Sequence, residues 1–161
     1  MKRRPILTVL LITCFLTVCG RAGEAGDIKA KIVEFGTFVL GPGQPGTRQT
    51  YFTAHGDVFT ARLGLHFGFR FTLNNVPDIQ TIDLQTVVTH PPITDKNGQT
   101  STRYELITTL PVSDSFADSV TGYSFDRPGE MTPGVWTFTH SFHGRTVVTK
   151  SFTIRAAKGT G

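Results

Sequence analysis

His66 is the histidine best placed for binding chemistry, because of the residues that flank it. Gly64 and Gly68 stand two residues away from it, and Arg62 and Arg70 stand four residues away. On a strand all five share one face, since successive side chains point to opposite sides of a sheet. A bare strip of backbone beside an imidazole and two cations would form a shallow groove for an anion, a glycan or a peptide. The alternative is a solvated outer face, or glycines on which an aromatic ring from a neighbouring strand lies flat.

Aromatic residues near turns could form a second kind of glycan-binding site. Tyr51, Phe52 and Phe116 lie close to turn sequences, and an exposed coplanar pair would form a sugar-binding platform. Trp136 follows the alternation of a strand instead, which favours a place in the core. The candidate ligand-binding residues are His66, Arg62, Arg70 and Tyr51.

A metal site would depend on histidine. His140 and His143 have a spacing of three, but on a strand residues i and i+3 point to opposite faces. A site would need the loop at His143 to fold back and a third ligand to join it. We therefore expect no metal and no other cofactor.

The motifs of catalysis are missing from the sequence. No serine stands in a Gly-x-Ser-x-Gly elbow, and Asp114, Asp118 and Asp126 are spread along loop sequence. Gly41-x-Gly43-x-x-Gly46 has the spacing of a dinucleotide fingerprint, but the pattern contains two prolines and no helix follows it. We predict that the protein is not an enzyme.

The element that carries His66 reads as a strand over 61–73. Large apolar residues alternate there with polar residues and glycine, which puts the apolar groups on one face: Leu63, Leu65, Phe67, Phe69 and Phe71. An apolar face of this size must pack against a second layer.

Other segments also have the composition of strands. They are 27–39 with a break at Gly36, 79–89, 102–111, 119–125, 135–142 and 146–154. Sequences rich in Gly, Pro and Asn separate them, and none shows a helical period. The pattern predicts an all-β fold, an immunoglobulin-like antiparallel β-sandwich of about seven strands.

The register of the last hairpin can be predicted from burial. A loop of three residues, 143–145, pairs Phe142 with Thr146 and places Phe152 on the apolar face. A loop of two residues would pair Phe142 with Arg145 and expose Phe152, so burial favours the longer loop. Lys150 then falls on the apolar face, which requires its ammonium group to reach water at an edge.

The first residues have the anatomy of a secretory signal peptide. A basic start at 2–4 precedes an apolar run over 6–19 and a small-residue cleavage site at 23–25. We predict a signal peptide over 1–25 and a single domain over 26–161, exported to the periplasm or the outside of the cell. An alternative is a lipobox at Leu16-Thr17-Val18-Cys19, which would anchor the chain to the membrane through a lipid on Cys19.

Removal of this segment changes the bulk properties. The net charge falls from +4 to +1, because four of the 16 basic and one of the 12 acidic residues precede residue 26. Such a chain carries no charge signal for nucleic-acid binding. Both cysteines, Cys14 and Cys19, also leave under this prediction, so no disulfide is expected.

Three sequence patterns in this chain occur together in a known family of domains. They are Leu63-Gly64-x-x-Phe67-Gly68-x-x-Phe71, the turn at His90-Pro91-Pro92, and the hairpin from Gly134-x-Trp136-x-Phe138 to Phe152. Together they resemble a family of small exported bacterial domains of unknown function. The resemblance covers most of 29–154 and implies an immunoglobulin-like β-sandwich with no catalytic residues to transfer.

We therefore expect an exported, non-enzymatic module that binds an unidentified protein of the bacterial cell envelope, with edge strands able to accept a partner strand. Two alternatives remain. One is a module that binds a glycan or a small ligand through the His66 strip or the loop aromatics. The other is a periplasmic metal-handling protein that uses His66, His140 and His143.

Overall fold

The computed structural model describes residues 27–42 and 48–157, and these form two packed β-sheets. The strands are β1 Lys29–Pro42, β2 Arg48–His55, β3 Val58–Thr60, β4 His66–Asn74, β5 Thr81–Thr94, β6 Thr100–Pro111, β7 Phe116–Ser124, β8 Gly134–Phe142 and β9 Arg145–Arg155. One sheet has the order β2-β1-β4-β7 and the other β3-β9-β8-β5-β6. The predicted all-β sandwich is confirmed, and the predicted signal peptide lies outside the described residues.

Residues 27–42 and 48–157 form nine strands, two more than the predicted seven, because β2 and β3 were not foreseen. One face of β2 is exposed, and on the other face Thr50 and Phe52 are only half-buried, so its sequence lacks the alternation of large apolar residues that marks a core strand. All paired strands are antiparallel except β3 and β9. Within the described residues, no helix is long and apolar enough to cross a membrane.

The core lies between β4 of the first sheet and β8 and β9 of the second. Phe67 is fully buried, and its ring meets those of Trp136, Phe138 and Phe152 edge-on at centroid distances of 5.7, 6.2 and 5.5 Å. Aromatic pairs favour this geometry because the positive ring edge meets the negative face. The predicted inward face of β4 is therefore confirmed from Phe67 onward.

The start of the predicted strand 61–73 is wrong. β4 begins only at His66, and Leu63 is 58% exposed. The chain turns before the strand, where Leu65 N–H donates to the Arg62 carbonyl over 3.1 Å and Gly64 has φ +73°. Glycine adopts this left-handed backbone without the steric cost that a side chain brings.

The predicted loop of the last hairpin is also wrong, although the predicted burial is right. Phe142 pairs with Arg145 across a two-residue turn in which His143 and Gly144 have φ 48° and 77°. Two positive φ values are the mark of the type I′ turn, whose twist suits a hairpin. A bulge after His140 then shifts the register by one residue, and Phe152 returns to the core.

Lys150 lies among apolar residues, but its ammonium group contacts protein groups, whereas the sequence predicted that it reaches water. Its side chain is mostly buried, and its Nζ lies 3.9 Å from the centroid of the Phe35 ring. The same Nζ is 3.6 Å from a carboxylate oxygen of Asp57. The ammonium group thus exchanges water for a ring face and a carboxylate.

Candidate functional site

The structure brings together only two of the four predicted ligand-binding residues. His66 and Arg70 share the outer face of the four-stranded sheet, one on each side of Gly68. Arg62 lies in the turn that precedes β4. Tyr51 points to the opposite face of its sheet from Phe52, because the two are neighbours on β2. Its hydroxyl donates to the carbonyl of Pro42 over 3.2 Å.

Glycines cross this outer face in one row. Gly36 pairs with Gly68, and Gly68 pairs with Gly122, so the row spans β1, β4 and β7. A Cβ on Gly68 would lie 2.1 Å from the Thr121 carbonyl oxygen, which no real structure tolerates. The sequence marked Gly68 as notable, but the row exists only because three distant segments pair in this register.

An aromatic ring occupies the space beside one of these glycines, Gly122. A Cβ on Gly122 would lie 2.8 Å from the Phe38 ring, and that ring is 5.5 Å from the His66 ring and 5.7 Å from the Phe52 ring. Phe38, Phe52 and His66 thus form a half-buried aromatic cluster on the outer face. Gly64, in the turn before β4, has no atom within 4 Å of the place where its Cβ would lie.

The guanidinium group of Arg70 contacts residues of the neighbouring strands β1 and β2. Its Nη2 donates to the Thr50 carbonyl over 3.4 Å, and its Nε lies 4.0 Å from a carboxylate oxygen of Glu34. The Nε is hidden from solvent and has no hydrogen-bond partner among the residues that the structure describes. The local charge of the guanidinium is thus already offset by Glu34, on the same outer face.

His140 is a core residue rather than a residue at the core edge. It is fully buried, its ring centroid is 4.8 Å from that of Phe71, and its Nδ1 shares a 2.8 Å hydrogen bond with Thr86 Oγ1. Burial lowers the pKa of His140 to about 4, because a charged imidazolium would lose its hydration there. His140 is therefore neutral at physiological pH.

The two histidines of the predicted metal spacing do not converge. His143 sits in the exposed turn, with its ring stacked 4.0 Å from that of Phe142, whereas His140 points into the core. Across residues 27–42 and 48–157, no group of three or more His, Cys, Asp or Glu side chains could hold a metal ion.

Trp136 does not form a surface for a glycan, because its ring is fully buried. Its ring stacks 5.0 Å from that of His90 and lies 4.6 Å from that of Tyr123. Tyr104 completes this end of the core, and burial raises the pKa of its hydroxyl to about 12. Tyr51 and Phe52 also form no coplanar pair, since they point to opposite faces of β2.

A cavity of about 90 Å³ lies between the start of β1 and the β8–β9 turn. Arg145 and Asp27, which form an ion pair of 3.0 Å, line this cavity together with Ile28 and Phe142. Ligand pockets typically enclose about 300–1,000 Å³. This cavity is therefore too small for a metabolite of ordinary size.

The surface feature with the clearest binding chemistry is the edge strand β6, which among the described strands pairs only with β5. Its apolar side chains Leu106 and Ile107 are 45% and 62% exposed. Around Ile107 the outer face is polar, and Gln85 Nε2 donates to Glu105 Oε2 over 3.0 Å. Arg103 and Glu105 form an ion pair on the same strand. The sequence predicted this strand at 102–111, but it did not show that the strand lies at an edge.

Comparisons with known proteins agree with this architecture. Residues 28–154 match a family described as a domain of unknown function, DUF3859. An immunoglobulin-like protein from Pseudomonas aeruginosa is 22% identical, with a TM-score of 0.63 over 83% of this chain and 100% of that chain. The predicted immunoglobulin-like fold and the predicted family resemblance are thereby confirmed.

Weaker structural matches concern much larger proteins. A β-glucosidase from Listeria innocua is 8% identical, with a TM-score of 0.45 over 81% of this chain and 16% of that chain. An alkylpurine DNA glycosylase from Pseudomonas fluorescens is 13% identical, with a TM-score of 0.38 over 80% of this chain and 30% of that chain. These scores are too low to support an inference. None of the curated proteins compared with the chain matches it.

Proposed function

Since this chain belongs to the DUF3859 family of domains of unknown function, we propose that it is an exported, non-enzymatic module that binds a protein in the bacterial cell envelope. The observation that carries the proposal is that β6 lies at the edge of its sheet with exposed apolar side chains. An immunoglobulin-like sandwich offers partners the edges of its sheets, where backbone N–H and C=O groups lack a neighbour. A partner strand can satisfy those groups and extend the sheet.

The edges of the described sheets differ in how well they could accept a strand. The two sheets end in β2, β7, β3 and β6, and β3 is only three residues long. β6 has 12 residues, contains no lysine and has no proline before Pro111. Natural edge strands are usually protected by shortness, by lysine or by proline. β2 and β7 also lack lysine and proline, but they have eight and nine residues, so β6 is the longest of these edges, and this favours a role in strand pairing.

The side chains of β6 also suit a protein partner. Leu106 follows the inner face and Ile107 the outer face, so a pairing strand would meet apolar surface on both sides. Polar residues surround this small apolar region, as they do at the rim of protein interfaces. The ion pair of Arg103 with Glu105 leaves the strand without net charge.

Export is supported by the sequence of 1–25. The basic start, the apolar run of 6–19 and the small residues at 23–25 are typical of a signal peptide. Mass spectrometry of the protein recovered from its own cells would test this part of the proposal. A mature chain that begins at Gly26 supports cleavage after Ala25, and a lipidated N-terminal Cys19 supports anchoring to the membrane. An intact chain that begins at Met1 would contradict export through a signal peptide.

Position-specific crosslinking in the cell tests the binding function. A photo-reactive amino acid replaces Ile107 in the full-length protein, and the control replaces Val135 on β8, an interior strand of the same sheet. Val135 is a comparable control, since it is an aliphatic residue with 56% exposure. We expect a discrete protein adduct from position 107 that position 135 does not give. Identical background labelling from both positions would refute a binding role for β6.

A further inference from the structure

We infer that Asn97 is a site of spontaneous deamidation, and that Asp95 slows the reaction by holding the turn between β5 and β6 in an unreactive form. The turn covers 95–99, and Asn97 and Gly98 are exposed there, whereas Asp95 is half-buried. The inference goes beyond the proposed function and does not depend on it, because the reaction requires only this chain and water.

The chemistry follows from the order of the two residues. The backbone nitrogen of Gly98 attacks the side-chain carbonyl carbon of Asn97, a new C–N bond forms, and the side-chain nitrogen leaves as ammonia. Water then opens the succinimide ring at either of its two carbonyl groups, which gives aspartate or isoaspartate. Water is consumed and ammonia is released, so no oxidant takes part. Asparagine is thermolabile for this reason, and glycine has no side chain to obstruct the attack.

The folded turn engages the nitrogen that must attack. The Gly98 N–H donates to the Asp95 carbonyl over 3.1 Å, and the Asp95 N–H donates to the Gln99 carbonyl over 2.9 Å. Gly98 has φ +78°, a left-handed backbone that glycine adopts at little cost. Attack requires this nitrogen to lose its proton, and the turn holds that proton in a hydrogen bond. The nucleophile is therefore not free to approach the side chain of Asn97.

The carboxylate of Asp95 holds the group that would be attacked. Its Oδ1 accepts from the Asn97 N–H over 2.8 Å and from the Gln99 N–H over 2.9 Å. Its Oδ2 lies 3.5 Å from Nδ2 of Asn97, so the side-chain amide is turned toward Asp95. Hydrogen bonds to a carboxylate are stronger than those between neutral groups. Since an intramolecular reaction is fast only when its atoms reach a near-attack arrangement, Asp95 opposes the reaction.

The reaction should therefore proceed from a locally opened turn. Exposed turns open at a lower cost in free energy than the whole domain, and that cost sets how often the reactive form is populated. Loss of the Asp95 carboxylate removes the acceptor of two backbone N–H groups. The opened form should then be more populated, and Asn97 should deamidate faster.

Incubation of the full-length protein at neutral pH and constant temperature tests the site. Peptide mapping by mass spectrometry locates the exchange of NH2 for OH, and enzymatic methylation of isoaspartate identifies the product. We expect Asn97 to deamidate at least about tenfold more slowly in the folded protein than in the protein unfolded by urea, because the turn withholds the near-attack arrangement. Equal rates in the two states, or an Asn97 that stays intact in urea, would overturn the inference.

Substitution of Asp95 tests its role. We expect folded Asp95→Ala to deamidate at least about tenfold faster than the folded wild type, because hydrogen bonds to a charged acceptor are lost. Asp95→Asn retains an acceptor oxygen and should give an intermediate rate. Asp83→Ala is the matched control, since Asp83 also lies on the β5–β6 hairpin but its carboxylate accepts from Thr109. This control should deamidate at the wild-type rate.

A second control separates the local effect from a loss of global stability. Gly144→Ala strains the turn between β8 and β9, where Gly144 has φ +77°, and leaves the turn 95–99 unchanged. It should lower the urea midpoint, read from the fluorescence of the buried Trp136, without changing the deamidation rate in the absence of urea. Deamidation of folded Asp95→Ala at the wild-type rate would overturn the inference. Rates that follow the urea midpoint across all these variants would overturn it as well.

Discussion

Acid should destabilise this protein through His140, and the size of the effect can be worked out. His140 is fully buried against Phe71, and burial lowers its pKa from 6.5 to about 4. In the unfolded chain the imidazole is hydrated and titrates near 6.5. Between these two pH values the unfolded chain binds a proton that the folded chain does not bind. Lowering the pH therefore favours unfolding.

The magnitude follows from the two pKa values. Above pH 6.5 both states are neutral at His140, and the residue adds no pH dependence. From a folded pKa of about 4, the free energy of unfolding falls by about 2 kcal/mol at pH 5 and by about 3 kcal/mol at pH 4. Below the folded pKa the loss levels off at about 3–4 kcal/mol, since each unit of pKa difference corresponds to about 1.4 kcal/mol.

The substitution His140→Leu isolates this contribution. Leucine has a similar volume, so the change should cost less than about 1.5 kcal/mol at pH 7. Thr86 keeps a hydrogen bond of 2.7 Å to Thr108 after the imidazole is gone. The buried Nε2 of His140, which has no partner among the described residues, is removed as well. The variant should then lose about 2 kcal/mol less stability than the wild type between pH 7 and pH 5.

Urea unfolding at pH 7 and pH 5 provides the assay. Trp136 is the single tryptophan and is fully buried, so its fluorescence reports the loss of the core. His55→Gln serves as the control, because His55 is an exposed histidine on β2. We expect the control to follow the wild type. If His140→Leu loses as much stability as the wild type between the two pH values, the argument from burial is wrong.

Three further predictions concern packing and backbone geometry, each measured as a free energy of unfolding in urea. Phe67→Ala should cost about 3–5 kcal/mol, because it removes a fully buried ring, and an unchanged midpoint would mean that the core is misassigned. Gly68→Ala should cost about 3 kcal/mol, since its Cβ would lie 2.1 Å from the Thr121 carbonyl oxygen. The control Gly129→Ala should cost far less, because no atom lies nearer than 4.0 Å to its Cβ. Equal costs for the two variants would contradict the steric argument. Gly144→Ala should cost about 1–2 kcal/mol through φ +77° alone, as its Cβ would contact nothing within 4 Å. A stability equal to the wild type would show that the turn adopts another geometry.

Sequence patterns predicted the elements best where one face of a strand is buried. The alternation around Phe67 and Phe69 identified β4 and its inward face, because burial on one side imposes a period of two. Strand β2 was missed, since it has no fully buried face: Thr50 and Phe52 are only half-buried, and no alternation of large apolar residues results. The loop of the last hairpin was wrong because a bulge restored the register that a shorter turn would otherwise have lost.

The candidate sites were predictable only in part. The sequence singled out His66 and Gly68, but Phe38, whose ring lies against Gly122 and near the His66 ring, comes from a strand some 30 residues earlier in the chain. Nothing in the local pattern near Gly122 pointed to that contact. The edge position of β6 depends on the order β3-β9-β8-β5-β6, which is a property of the whole sheet.

The sequence by itself determined the all-β class, the apolar faces of the central strands and the presence of an export-like N-terminus, because composition and period are local properties. Only the tertiary structure decided which strands meet, since pairing joins segments far apart in the chain and depends on turns and bulges. That pairing buried His140 and aligned Gly36, Gly68 and Gly122 in one row. It also left Ile107 exposed on an edge strand. The binding surface that we propose for this domain is therefore a consequence of strand order, which no single segment encodes.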